Sequence, residues 1–471
     1  MIYNNINQVL GNNFNVIIIG SGPAGISSAL KFEEKKINVL ILEAGSDGYS
    51  EKSQEYYISK TFGDEVTDLS KSRLRQFGGT GCIWGGWSKP METYNLSKWG
   101  IDYNQINKYK DQTCSILNIE NIFKNSRIDK YFNQIEFQYS PVKFDKKYKN
   151  HIANSKYINL LLNAQATKFS GENDLTKNLE FVFKGNKFKI SSKFFILAAG
   201  GIENSRILLY SKSQNGMLKN NSNIGLNWMT HPWFIGGYGI LKKKKLSEYL
   251  GKKFINEEGP LHISSSENLT KDKNILSGSI YMDAIENKKK TKEIIKNVLC
   301  VAPNFGKKIA RNIFKKDLKC GNIFMHLEEP AKTNNKISLD DKTTDDNGIP
   351  ITNLYYKKSE HSLIAAKTIL IEFADVCRNL DLGRIAIKDS IDLLESYDSL
   401  GIYHHIGGTR IGNNITESVV DKNLKIHENK NLYVLGSSVF PTPGFSNPTF
   451  TIIQLSLRLA EHISEKLIAG S

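Results

Sequence analysis

Six residues near the start of the chain, Gly20-Ser21-Gly22-Pro23-Ala24-Gly25, constrain its fold more than any other feature. They follow an apolar run, Asn15 to Ile19, that reads as a short buried strand, and they open a helical stretch, Ile26 to Lys35. A second strand, Asn38 to Leu42, ends in Glu43. This is a βαβ unit with its glycines in the first turn. The spacing suits a pyrophosphate. Gly20 makes the tight turn, Gly22 lets backbone approach phosphate, and Gly25 lets helix and strand pack closely. The helix N-terminus offers free N–H groups and the positive end of its dipole to the anion. Glu43 lies 18 residues after Gly25, near the ~20 expected of a ribose-binding carboxylate. An acid there disfavours a 2′-phosphate, which argues against NADP.

The motif alone does not separate NAD from FAD. Phe77-Gly78-Gly79-Thr80-Gly81-Cys82-Ile83-Trp84-Gly85-Gly86 holds five glycines in ten residues. Backbone so bare of side chains suits close contact with a large planar cofactor. Later, Phe194 to Gly200 reads as an apolar strand ending in glycine. Ser338 to Tyr356 holds strand-like pieces around an Asp345–Gly348 turn, and Ser359 to Asn379 reads as a helix. Asn431 to Leu435 is a strand, Gly436 to Asn447 a loop, and Pro448 to Leu467 a long amphipathic helix. Pro448 suits a first helical position and Asn447 an N-cap. Two of the nine histidines are adjacent, His404 and His405, just before Gly407-Gly408-Thr409-Arg410. Arginine is scarce at nine residues, yet Arg73, Arg75, Arg206 and Arg410 lie in or beside these motifs, so lysine is not expected to replace them.

Of 471 residues, 40% are hydrophobic and 24% charged, which excludes global disorder. No apolar run reaches the ~18 residues of a spanning helix. The first fifteen residues show no secretory pattern, and the five cysteines are scattered without CxxC spacing. A reducing, cytoplasmic setting is therefore expected, with no disulfide framework and no metal site. The net charge is +15, but most of the basic residues are lysine, which argues against a nucleic-acid reader. Ten of those charges fall within residues 241–320, in the runs Lys242 to Lys245, Lys288 to Lys290 with Lys292, and Lys307 to Lys319. Ile294, Ile295, Val298 and Leu299 lie between the last two. This basic amphipathic pattern has two readings: a solvated lysine-rich insertion, which is favoured, or a segment that docks on a membrane, an acidic glycan or an acidic partner and so places the protein peripheral to a membrane.

Taken together, the motifs resemble the glucose–methanol–choline (GMC) oxidoreductases. The matching pieces are GSGPAG with Glu43, GGTGCIWGG, AAGGIENSRILL, NIGLNWMTHP, and HHIGGTRIG through VLGSSVFPTPGFSNPTFT. They cover about half the chain and keep the family's order. The SNPTFT ending looks most like bacterial sugar dehydrogenases and pyranose oxidases. The resemblance implies an α/β (α+β) fold: an FAD-binding Rossmann-like domain of the GMC and glutathione-reductase type, plus a sheet-and-helix substrate domain built from insertions. Residues 1–92, 157–235 and 401–471 would form the first domain, and 93–156 and 236–400 the second. It implies FAD held by Gly20, Gly22, Gly25, Glu43, Gly79, Thr80, Trp84, Gly85, Ala166, Gly200, Gly436, Pro448 and Thr449.

It also implies a catalytic pair. His404 heads the H-x-x-G-T-x-R pattern, with His405 as its neighbour, and Asn447 stands at the second catalytic position. Three residues depart from the family: Ile411 replaces a usual Met, Gly436 stands where many members carry Asp, and Ile83 replaces a His that some members link to flavin. FAD is therefore expected to be non-covalent. The implied reaction is oxidation of a small alcohol or sugar, with His404 as base, Asn447 on the same oxygen, hydride passing to flavin N5, and the helix at Pro448-Thr449 stabilising the charge gained. The electron acceptor is not legible. A different FAD-dependent oxidase or hydroxylase on a related fold, or a flavoprotein scaffold without turnover, are the competing readings.

Overall fold

The structure is a computed structural model that describes residues 1–172, 174–215, 217–251, 261–282, 308–309, 312 and 321–469. Val16–Ile19 and Val39–Leu42 are aliphatic throughout and buried at every position. Runs of this kind suit the middle of a parallel sheet covered on both faces, and that is where they lie. The sheet runs Ile2–Tyr3, Ile158–Leu161, Val39–Leu42, Val16–Ile19, Phe194–Leu197, Leu432–Val434, with all neighbours parallel. The helix that follows Val16–Ile19, Pro23–Glu34, starts earlier than the sequence pattern suggests. Pro23 occupies its first turn, where the missing N–H costs nothing. The helix Pro448–Ala469 packs on it.

A second, seven-stranded antiparallel sheet has the order Gly383–Ile387, Trp233–Leu241, Gly321–Leu327, Gly278–Met282, Leu261–Ser265, Phe132–Ile135, Asn125–Arg127. Alternation along these strands gives the sheet two unlike faces. Phe234, Ile263, Ile280 and Met325 form a core with Ile369 and Phe373 of the helix Glu360–Asn379. Trp233, His262, Tyr281 and His326 lie on the opposite face. Ser359 caps that helix by accepting from Ser362 N, one residue ahead of the helical turns proper.

Smaller sheets join the two. Lys336–Thr344 and Pro350–Tyr356 flank a turn in which Asp345 Oδ1 accepts from the N–H groups of Asn347 and Ile349. Pro350–Tyr356 also pairs in parallel with Ser59–Gly63. Of residues 93–156, expected with the second domain, Leu96, Trp99, Ile106, Leu117, Phe144 and Ile152 pack in the core of the parallel sheet. Only the stretch holding Asn125–Arg127 and Phe132–Ile135 lends strands to the large sheet.

In the basic segment, Lys242 and Lys245 both pair with Asp381, at 2.9 and 2.6 Å. The runs at Lys288–Lys292 and Lys307–Lys319, and the apolar residues between them, lie almost wholly outside the described residues. Among the described residues, no helix is long and apolar enough to cross a membrane.

Candidate active site

The loop after the first strand is held from below. Glu43 Oε2 accepts from Ser21 N at 3.0 Å and Ser21 Oγ at 2.6 Å, and Glu43 Oε1 accepts from Gly45 N at 2.7 Å. Ser21 Oγ in turn accepts from Gly78 N at 3.1 Å, which ties the two glycine-rich segments together. Gly25 has no room for a side chain, since a Cβ there would overlap the carbonyl oxygen of Gly20. Gly22 is the opposite case. A Cβ on it would meet nothing within 4 Å, and its bare backbone heads a helix with no side-chain cap. An open cradle at a helix N-terminus with unclaimed N–H groups is the form an anionic phosphate fits.

The cradle opens into a cavity of about 820 Å³, toward the upper end of the ~300–1,000 Å³ usual for small-molecule sites. Gly20, Gly22, Glu43, Gly79, Thr80, Trp84, Gly85, Ala166, Gly200, Gly436, Pro448 and Thr449 all line it, as do His404 and Asn447. Gly25 alone among the expected residues stays out of it, because it packs helix on strand. Ala166 reaches the cavity at a bulge in its strand, where the register shifts before Lys168. The charged lining residues, Glu43, Lys71, Arg73, Arg75, Glu203 and Arg206, all belong to the segments around the cradle. Several arginines brace that end. Arg73 pairs with Glu203 at 2.8 Å, and Arg206 bridges Glu203 at 3.3 Å and Asp345 at 2.8 Å. Their forked guanidinium groups also reach the carbonyls of Leu69, Tyr57 and Pro350, which a lysine could not do at once.

The other end of the cavity meets the large sheet. Trp87, Phe137, Trp233, His262, Tyr281 and His326 form its wall. His231, His404, His405 and Asn447 lie between wall and cradle. His404 Nδ1 is 2.9 Å from His231 Nδ1, and its Nε2 has no hydrogen-bond partner among the described residues. His405 points elsewhere: its Nε2 lies 2.9 Å from Ser72 Oγ and its ring lies against Trp228. Asn447 donates from Nδ2 to the Trp87 carbonyl at 2.9 Å. Its Oδ1 is buried with no partner among the described residues, so the side chain is not a helix cap. The loop before it is fixed by Ser446 Oγ on Glu92 at 2.8 Å, with Lys89 on the same carboxylate at 2.6 Å.

Burial keeps these imidazoles neutral. It pushes His231 and His262 down to about 4 and His326 and His405 to about 3, and it holds His404 well below the usual range. For His404, repulsion from His231, His326 and His405 adds to desolvation. The chemistry available is thus a set of neutral acceptors and donors in an aromatic pocket, next to a phosphate cradle.

A model of the GMC oxidoreductase family matches residues 330–456, the stretch that carries both His404 and Asn447. Over that stretch the chain is similar to the GMC oxidoreductases. Among curated relatives, the fructose dehydrogenase large subunit of Gluconobacter japonicus is 25% identical over 60% of this chain and 49% of its own length. The 2-methyl-1,2-propanediol dehydrogenase of Mycolicibacterium austroafricanum is 24% identical over 60% of this chain and 50% of its own. The chain spans about half the length of the curated relatives it matches. Among solved structures, pyridoxine 4-oxidase from Mesorbium loti superposes with a TM-score of 0.59 over 96% of this chain and 99% of its own, at 12% identity, a likeness of fold.

Three cavity residues carry no sequence signal strong enough to single them out: His231, His262 and His326. His231 sits in Met229-Thr230-His231-Pro232, a piece of the resemblance whose histidine carried no assigned role. His262 and His326 each interrupt an apolar alternation, in Leu261-His262-Ile263 and Met325-His326-Leu327. A histidine on the polar phase of a half-buried strand was the available clue.

Proposed function

We propose that this protein is an FAD-dependent enzyme of the GMC type that oxidises a CH–OH group to a carbonyl in an uncharged, polyhydroxylated substrate such as a sugar, polyol or glycoside. The observation that carries the reading is that His404, whose Nε2 has no partner among the described residues, and Asn447 line one cavity with the glycine cradle. The cradle fits the cofactor. Gly20, Gly22 and the helix N-terminus would take the pyrophosphate, Glu43 would face the ribose, and Gly79, Thr80, Trp84, Gly85, Ala166, Gly200 and Gly436 would lie along the rest. Ile83, 60% exposed, offers no nucleophile for a covalent link. When bound, FAD supplies the hydride acceptor.

The protein supplies the proton chemistry. Neutral His404 takes the hydroxyl proton on Nε2 as general base. Asn447 has one N–H engaged by Trp87 and keeps a second for the same substrate oxygen. The Pro448–Ala469 helix turns its positive end to the cavity, where it favours added negative charge. The sheet wall carries aromatic and neutral imidazole groups and no charged side chain among the described lining residues, which favours a neutral substrate with apolar faces. Fructose and a propanediol, in the names of the two relatives, agree in class.

The test is anaerobic reduction of the FAD-loaded protein by a panel of sugars, polyols and glycosides, repeated in air to read oxygen as acceptor. His404→Ala should bind FAD with an unchanged spectrum and reduce it at least ~100-fold more slowly. Normal reduction in that variant would overturn the assignment.

A further inference from the structure

We propose that His231 sets the tautomer of His404, holding the His404 proton on Nδ1 and so leaving the lone pair on the cavity-facing Nε2. The inference rests on the reading of His404 as the base and assigns the residue that makes it one.

Hydrogen-bond partners fix where the protons of the two rings lie. His231 Nε2 lies 3.0 Å from the carbonyl oxygen of Pro443. A carbonyl only accepts, so His231 Nε2 carries a proton. His231 is 3% exposed, and burial pushes it down to about 4, so the ring is neutral and has one proton only. Its Nδ1 is therefore a bare acceptor. The 2.9 Å contact between His231 Nδ1 and His404 Nδ1 needs a proton between the two nitrogens, and only His404 can provide it. His404, neutral as well, then has no proton on Nε2. The other tautomer would set two lone pairs against each other at hydrogen-bond distance in a buried site.

Backbone register makes the pairing a property of the fold. Met229 and Ile406 form an antiparallel bridge, with Met229 N donating to Ile406 O at 2.7 Å and Ile406 N to Met229 O at 2.9 Å. Two residues onward on one side and two back on the other, His231 and His404 stand opposite each other. Thr230 N is fixed to Glu329 Oε2 at 2.8 Å, and Pro232 holds the residue before it extended. Pro443, which receives the His231 proton, leads into the loop that ends at Asn447. One imidazole thus joins the segments that carry both members of the proposed catalytic pair. His231 touches neither substrate nor cofactor in this scheme; it is a positioning residue.

The experiment uses the full chain loaded with FAD. Two-bond ¹⁵N–¹H correlation spectra of ¹⁵N-histidine-labelled protein, with His404 assigned by its absence in His404→Gln, read directly which His404 nitrogen bears the proton. Nδ1–H is expected, and Nε2–H overturns the proposal whether or not any alcohol reduces the flavin. If the wild type keeps Nδ1–H yet no alcohol reduces the flavin, the functional reading falls and the tautomer assignment stands. In kinetics, His231→Leu removes the acceptor and should lower the limiting rate of flavin reduction about 100-fold with KM little changed. His231→Asn, whose Oδ1 can stand near the place of Nδ1, should recover about tenfold or more of that loss. A His231→Leu enzyme as fast as the wild type overturns the proposal, and so does an Asn variant as slow as the Leu variant when both keep their FAD and melting temperature.

Discussion

The His404 imidazole keeps one nitrogen free in the cavity, while the neighbouring His405 imidazole is tied to Ser72 and lies against Trp228. Two identical side chains, adjacent in sequence, separate because extended backbone turns successive residues to opposite sides. His405→Leu should therefore act on stability. It removes one of two hydrogen bonds of buried Ser72, whose Oγ still donates to the Leu69 carbonyl at 3.3 Å, at about 0.5–1.5 kcal/mol, which lowers the melting temperature by roughly 0.5–2 °C in a chain of this size. Flavin reduction should stay within a few-fold of wild type. Thermal melts and stopped-flow reduction of the same preparation check both halves, and an unchanged melt with abolished reduction would exchange the roles of the two histidines. At this scale the sequence exposed what is rare and chemically constrained: a doubled histidine among nine, and an asparagine before a helix-opening proline. It did not expose His231, whose partner lies 173 residues away and becomes its neighbour only through the Met229–Ile406 bridge.

Along the helix Pro23–Glu34, the two glycines that bracket its opening turn make opposite demands. A methyl at Gly25 has the Gly20 carbonyl in its way, so Gly25→Ala pushes helix from strand and should cost at least the ~1–3 kcal/mol of an overpacked core. A methyl at Gly22 meets no protein atom and sits on backbone of ordinary φ. Gly22→Ala should leave the melting temperature of the apoprotein unchanged while FAD retention falls, because the methyl lies where a phosphate would approach. Melts of apoprotein together with flavin content after gel filtration separate the two cases. Retention of full FAD by Gly22→Ala would count against the cradle as the phosphate site. The βαβ unit was legible because every local signal agreed: aliphatic runs, glycine spacing, and an acid at the end of the next strand. The large sheet was far less legible. Its strands Phe132–Ile135, Leu261–Ser265 and Gly321–Leu327 are short, and their pairing is set by distant segments: Phe132–Ile135 pairs with Leu261–Ser265, and Gly321–Leu327 with Trp233–Leu241. No local pattern announces such a partner.

Across the molecule, the junction between the two large sheets buries two acids, Glu329 and Asp398, beside Tyr356 and Tyr397. The Tyr356 hydroxyl donates to Asp398 Oδ2. Burial pushes Asp398 up to about 6 and Glu329 well above the carboxylate range. Lys358 works against the shift at Asp398 and Asp64 works with it. A carboxyl whose pKa is raised in the folded protein stabilises it below the unfolded value near 4, and that contribution is lost as pH rises through about 6. Asp398→Asn removes the titration, and asparagine tolerates the positive φ of 59° at this position. The variant should gain stability over the wild type as pH goes from 4 to 7, by up to about 3 kcal/mol. Denaturant melts of both proteins across that range would show it, and parallel curves would refute it.

The parallel sheet also sets a timetable for synthesis. Phe194–Leu197 is flanked by Val16–Ile19 on one side and by Leu432–Val434 on the other, so one edge of this apolar strand waits for a partner made more than 200 residues later. At roughly 5–20 residues per second that wait is on the order of 10–50 s. During that time a nascent chain exposes Phe195, Ile196 and Leu197 at an open strand edge, the kind of surface that chaperones bind and that seeds aggregation when they do not.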